Sequence, residues 1–321
     1  MERTISLPGG ERNLDEEETP GRLGFKATLD GRRKPSNPME RSRNFFHNRF
    51  VYALISQRAR GLSLGVNMNP DKFCNFDCVY CEVNRTRPSQ EGRLEVDVMC
   101  AELRAMLLLV SEGRVRELPG YQSLPDELVR LKEVALSGDG EPTLCPNFAE
   151  IVEAVTHLRA QGGFPFFKIV LITNATGLHL PQVQSGLKLF TSRDEVWAKL
   201  DAGSQPFLEK VNRPKSSGLG SPVASLAQVL DNIRMLGHHR PVVIQSLFPS
   251  VNGQEPRPEE IEEYVHRLRE LKEGGAQISL VQVYSAHRLA AHPECGHLPL
   301  KTLSHIAQRV RDGAGLKAEV F

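Results

Sequence analysis

Residues 72–83 read KFCNFDCVYCEV and place three cysteines, Cys74, Cys78 and Cys81, within eight positions. Thiols this bunched do not suit a disulfide framework; as thiolates they are metal ligands. Structural zinc takes four Cys or His ligands, and a four-iron cluster normally takes four thiolates, one per iron. The loop supplies three. A C-x3-C-x2-C span wraps three corners of a cube and leaves one iron open to a ligand from outside the protein. Alternatively a distant histidine completes a zinc site, although His47 is the nearest upstream and none lies close downstream. Asn75, Phe76 and Tyr80 are bulky neighbours suited to shielding a cofactor.

Other stretches carry side chains that could serve such a centre. In SGDGEP, Gly138 and Gly140 let backbone approach a ligand closely, and Glu141 could accept from an ammonium group. Pro142 and Thr143 break the dinucleotide-binding glycine pattern. Thr173 and Asn174 suit ribose hydroxyls or the capping of a turn. Lys199 and Asp201 stand two apart and share a strand face, as an ion pair lining the interior or as groups acting on a cofactor or substrate. Gln245 and Ser246 are further polar candidates. Arg213 is either an anion contact or a surface arginine. The segment 285–297, with His287, His292, Cys295 and His297, is irregularly spaced for metal and reads as structural or substrate-contacting. Cys100 reads as buried in a helix, and Cys145, just after GEPTL, has at most a weak case for reactivity.

The elements that must position these residues recur in order. Short β-branched runs at 62–68, 133–139, 167–175, 195–203, 241–248 and 277–285 alternate with segments of helical period. One stripe is Val223, Leu226, Val229, Leu230, Ile233 and Leu236. A second is Ile261, Tyr264, Val265, Leu268 and Leu271, and a third is Leu300, Leu303, Ile306 and Val310. Six alternations imply parallel strands with crossover helices. Each polar motif falls where a strand ends, the face on which α/β barrels build active sites. The expectation is an α/β fold, an incomplete (β/α)6 TIM-like barrel with an N-terminal extension. Residues 1–43 read as a flexible arm, and 44–321 as the core domain, with 44–58 docking on it.

The 321 residues are 40% hydrophobic and 25% charged, ordinary for a globular chain, and the net charge of +1 gives no global drive towards nucleic acid. No apolar run suggests a membrane span, and the first residues lack the apolar stretch of a secretory signal. A reducing, cytoplasmic setting follows as the expectation, with no membrane partner.

The cysteine loop, with an aromatic before its last cysteine, resembles the radical S-adenosylmethionine superfamily. With SGDGEPTL (137–144), ITN (172–174), KLDAG (199–203) and VNRP (211–214), the chain looks closest to the iron–sulfur oxidoreductases related to wyosine-base-forming tRNA enzymes. The resemblance implies a 4Fe-4S cluster on Cys74, Cys78 and Cys81, with S-adenosyl-L-methionine (SAM) on the open iron. It implies reductive cleavage of SAM to a 5′-deoxyadenosyl radical that abstracts hydrogen. It further implies that Tyr80 borders the adenine, that the Gly138–Glu141 stretch holds the SAM amino group, and that Thr173, Asn174, Gln245 and Ser246 lie towards the cofactor. Lys199 and Asp201 become candidate catalytic groups. An electron donor such as a flavodoxin or ferredoxin is implied, and the substrate is left open among tRNA, protein and small molecules. The competing class is a zinc- or iron–sulfur-bearing binding or electron-transfer protein without SAM chemistry.

Overall fold

The computed structural model describes residues 47–321 apart from Pro88, Gln90, 217–221 and Leu289. The expected N-terminal arm, 1–43, lies outside them. Eight strands form one sheet in the order β1-β2-β3-β4-β5-β6-β8-β10. The six expected strands are β2 (Gly61–Asn67), β3 (Leu131–Ser137), β4 (Lys168–Thr173), β5 (Glu195–Lys199), β6 (Val242–Leu247) and β8 (Ile278–Tyr284), all parallel neighbours. Two strands extend the sheet. β1 (Val51–Ser56), within the expected docking segment, runs antiparallel beside β2, and β10 (Ala318–Val320) runs parallel beside β8. A two-stranded ribbon, β7 (Ser250–Val251) with β9 (Cys295–Gly296), stands apart from this sheet.

Strand residues alternate between the two faces of the sheet. On β2, Leu62, Leu64 and Val66 join the main core beneath the helices, while Ser63, Gly65 and Asn67 alternate with them and turn the other way. The inward rows follow the strand register. Ser63, Glu133 and Lys168 are neighbours at the strand-start end, and Lys199, Gln245 and Gln282 are neighbours towards the other. Between them Val170, Trp197 and Val243 form a small inner core with Ile172 and Leu280.

The helices cover the outer face: α1 (Val96–Ser111), α2 (Phe148–Gln161), α3 (Pro181–Leu187), α4 (Gln205–Val211), α5 (Leu226–His239), α6 (Pro258–Glu273) and α7 (Leu300–Ala314). Their stripes are buried as expected, except that Leu230 is only partly buried and two further residues are exposed. Val223 precedes α5, which starts under the Ser225 cap, and is 54% exposed; Leu300 opens α7 and is 67% exposed. Each sits at the N-terminal limit of its stripe, where the helix has yet to meet the sheet.

Candidate active site

The loop after β2 carries the three cysteines, none of them in a disulfide. Each sulfur receives one N–H. The Phe76 backbone N–H points at Cys74 Sγ at 3.5 Å, Asn212 Nδ2 lies 3.5 Å from Cys78 Sγ, and Arg85 Nη1 lies 3.0 Å from Cys81 Sγ. Donors of this kind favour thiolate over thiol. Burial acts the other way, pushing the Cys74 thiol up to about 11 and the Cys78 thiol up to about 12. Partly buried thiols become ligands when a metal displaces their protons.

The loop is held at both flanks. Arg85 Nη2 donates to the Asp139 carbonyl at 3.0 Å, and the Glu141 N–H donates to the Phe73 carbonyl at 3.1 Å. A Cβ on Gly140 would fall 1.8 Å from that same Phe73 oxygen, so only glycine lets the turn after β3 lie this close to the cysteine loop. Asn67, ending β2, fixes the turn through both faces of its amide, to the Asp139 N–H and carboxylate, each at 2.9 Å.

Glu141 is placed differently from a ligand-facing carboxylate. It is buried and accepts from the Thr143 N–H and hydroxyl at 3.0 and 2.6 Å, from the Thr173 hydroxyl, and from the Asn174 N–H at 2.7 Å. It ties the turn after β3 to the end of β4. Asn174 in turn donates to Asn75 Oδ1 at 2.9 Å, and Asn75 donates to Thr176 at 3.0 Å, so this loop braces the cysteine loop. Gly138 lines the central cavity; Thr173 and Asn174 do not.

Lys199 and Asp201 come together, 3.4 Å apart, and gather the rest of a polar network. Asp201 accepts from the Leu247 N–H at 2.8 Å, from Asn212 at 2.7 Å and from the Tyr80 hydroxyl. Lys199 bonds to the Tyr284 hydroxyl at 3.2 Å and stands 4.8 Å from the Tyr80 ring centroid. Burial alone would lower the Lys199 pKa; Asp201 outweighs it, and the ammonium is held above its usual range. Gln245 reaches Gln282 at 3.4 Å on the inner face. Ser246, one residue on, points outward and bonds to the Leu200 carbonyl and the Tyr264 hydroxyl, each at 2.6 Å. Of that pair only Gln245 faces the interior.

The segment 285–297 folds over the cysteine loop. Ala291 N–H donates to the Cys81 carbonyl at 2.7 Å, His292 lies 3.4 Å from Asp77, and Arg288 pairs with Glu82 at 3.3 Å. Arg213 is spent on Glu294 at 2.6 Å, which fixes the same cover. The His287 and His297 rings meet at a tilt of 42°, centroids 4.4 Å apart. Among the described residues, no three His, Cys, Asp or Glu side chains converge on a single ion position; in a four-iron cluster each thiolate takes its own iron. Cys145 is buried, bonds to Asn147 at 3.1 Å, and its thiol is pushed up to about 11 by burial, which makes it inert; Cys100 is only partly buried.

Sequence reasoning missed Asn212 and Arg85. Both were visible, Asn212 within VNRP and Arg85 four residues past Cys81, but neither residue type announces a sulfur contact.

Between the β1 and β10 edges and the strand-end face lies a cavity of about 360 Å³ that includes Tyr80, Glu133, Ser137, Gly138 and Tyr284 in its wall. Among the described residues no helix is long and apolar enough to cross a membrane.

No protein-family model matches the sequence. A UPF0026 protein of Synechocystis is 30% identical over 165 residues, covering 51% of this chain and 52% of that one. A UPF0026 protein of Helicobacter pylori strain J99 is 26% identical over 175 residues, 53% and 48% respectively, so the chain spans about half the length of the curated relatives it matches. Among solved structures, a radical SAM methyltransferase from Sphaerobacter thermophilus superposes with a TM-score of 0.56 at 14% identity, over 84% of this chain and 68% of that one. Streptococcus suis SuiB bound to S-adenosylmethionine gives 0.52 at 13% identity, over 83% and 52%. The incomplete barrel that sets three thiols at the end of its first parallel strand therefore shares its fold with these two radical SAM structures.

Proposed function

We propose that this chain is a radical SAM enzyme holding a 4Fe-4S cluster on Cys74, Cys78 and Cys81. The observation that carries the reading is one loop offering three unpaired thiols, each met by a single N–H donor. A cluster with SAM on its open iron supplies one-electron cleavage of the sulfonium, giving methionine and a 5′-deoxyadenosyl radical that takes hydrogen from a substrate.

The chain's own groups would frame that chemistry. Gly138 and Gly140 keep the turn after β3 flush against the loop, leaving backbone carbonyls as the acceptors for an ammonium group. Tyr80, oriented by Asp201 and Asn212, presents its ring beside the loop. Lys199, held charged by Asp201, is the cation of this network and suits binding a carboxylate rather than giving up its proton. Gln245 is the inward polar group of its strand. The cover formed by Arg288, Ala291 and His292 narrows access to the loop, where a radical requires shelter from water. A flavodoxin or ferredoxin is the class of electron donor that fits, and tRNA base modification is the finer reading carried by the motif resemblance.

Anaerobic reconstitution tests the class. About four irons and four sulfides per chain are expected, with 5′-deoxyadenosine appearing on adding SAM and dithionite. Serine at any of the three cysteines should abolish both. One equivalent of zinc without sulfide, or a full cluster that never yields 5′-deoxyadenosine, would reject the reading in favour of a binding or electron-transfer protein. Salt-sensitive co-purification of tRNA tests the finer step.

A further inference from the structure

The central cavity holds charges that the network above does not use. Four formally charged residues line it: Arg58, Glu82, Glu133 and Arg288. Glu82 and Arg288 pair with each other. That leaves Glu133 and Arg58.

Glu133 is 1% exposed. Its Oε1 accepts from the Ser63 hydroxyl at 3.0 Å, and its Oε2 is enclosed with no partner. The neighbouring cation in the register, Lys168, is committed to Glu195 at 2.7 Å. Burial accordingly raises the Glu133 pKa. Arg58 lies over the Tyr284 ring at 4.6 Å, and its enclosed Nε is also unpartnered. No ion pair joins the two.

A buried carboxylate oxygen without a donor is unfavourable, and in the wall of a cavity it is a vacant acceptor for a ligand's N–H. Glu133 sits four residues below the end of β3, about 13 Å at 3.3 Å per residue, so it lies well away from the turn expected to meet the SAM amino group. A volume of about 360 Å³ admits a small molecule and excludes a folded partner.

We infer that the cavity binds a small zwitterion, an amino acid-like molecule whose ammonium meets Glu133 and whose carboxylate meets Arg58. That this occupant is a reactant, alone or beside a nucleic-acid substrate, rests on the radical SAM reading; that it binds does not. Formal charge of both signs distinguishes it from a nucleobase, which offers neither at neutral pH.

The test is titration calorimetry on the full reconstituted chain with γ-aminobutyrate, n-butylamine and butyrate, in parallel with the 5′-deoxyadenosine assay. γ-Aminobutyrate should bind tightest. Glu133→Gln should weaken γ-aminobutyrate and butylamine about tenfold or more and spare butyrate. Arg58→Gln should do the reverse, weakening the two acids and sparing butylamine. Iron content and circular dichroism report folding; should Glu133→Gln fail to fold, Ser63→Ala replaces it, since it disturbs only the carboxylate's hydrogen-bond partner and should weaken the two amines alone. No binding by any probe, which would mean a water-filled cavity, overturns the inference, as does equal binding of all three or indifference to both substitutions. SAM cleavage without probe binding leaves the enzyme reading intact and removes this one; probe binding without SAM cleavage does the opposite.

Discussion

Arg85 places a full positive charge 3.0 Å from the Cys81 sulfur. A cation there favours the more negative, reduced state of a cluster, so Arg85→Gln should lower its midpoint potential, read by electron paramagnetic resonance during a redox titration. Asn212 acts on the same loop from the other flank, bonding to Cys78, Tyr80 and Asp201 together. Asn212→Ala strips a buried carboxylate oxygen of a donor and should cost about 1–3 kcal/mol by urea denaturation, more than a surface substitution would. The cysteines were legible because three thiols in eight positions have few uses. Asn212 was not: it stands 134 positions from Cys78, and only folding brings an amide of that common type to a sulfur. The surroundings of Glu141 were not legible, since a carboxylate met by Thr and Asn donors writes no spacing rule into the chain.

The strand ends act as a single assembly. Asn67 binds the turn after β3, Glu141 binds that turn to the end of β4, and Asn174 binds the end of β4 to Asn75 in the cysteine loop. Gly140 is the closest approach in this chain of ties. Gly140→Ala must push the cysteine loop away from β3, so iron incorporation should fall several-fold although every thiol remains; unchanged iron content would show that the loop positions itself. The six parallel strands were readable because each is a short, mostly buried apolar run that ends at a polar or glycine-bearing turn. β10 was not, being three residues long, and β1 was read only as an apolar docking segment, because its pairing depends on β2 rather than on its own pattern.

At the scale of the whole molecule, the interior keeps a carboxylate that burial disfavours. Glu133 is raised from an ordinary value of 4.5, so in the folded state it holds its proton to higher pH than in the unfolded chain. Its contribution to stability is complete below pH 4.5 and is lost as pH rises through the raised value. The melting temperature of Glu133→Gln minus that of wild type should therefore grow from about pH 4.5 to neutrality; a difference independent of pH would mean that Glu133 is ionised in the fold without penalty. Among the described residues, the sheet that encloses this residue ends in two edge strands, β1 and β10, linked near their lower corner by Arg60 and Glu319 at 2.8 Å, a largely exposed pair of little strength. A cylinder slit along its length alters its bore by flexing at the slit, with every strand ladder intact. The width between the rims is thus set by different contacts from those that hold the sulfur-bearing loop, which follows β2 and is tied to the turn after β3.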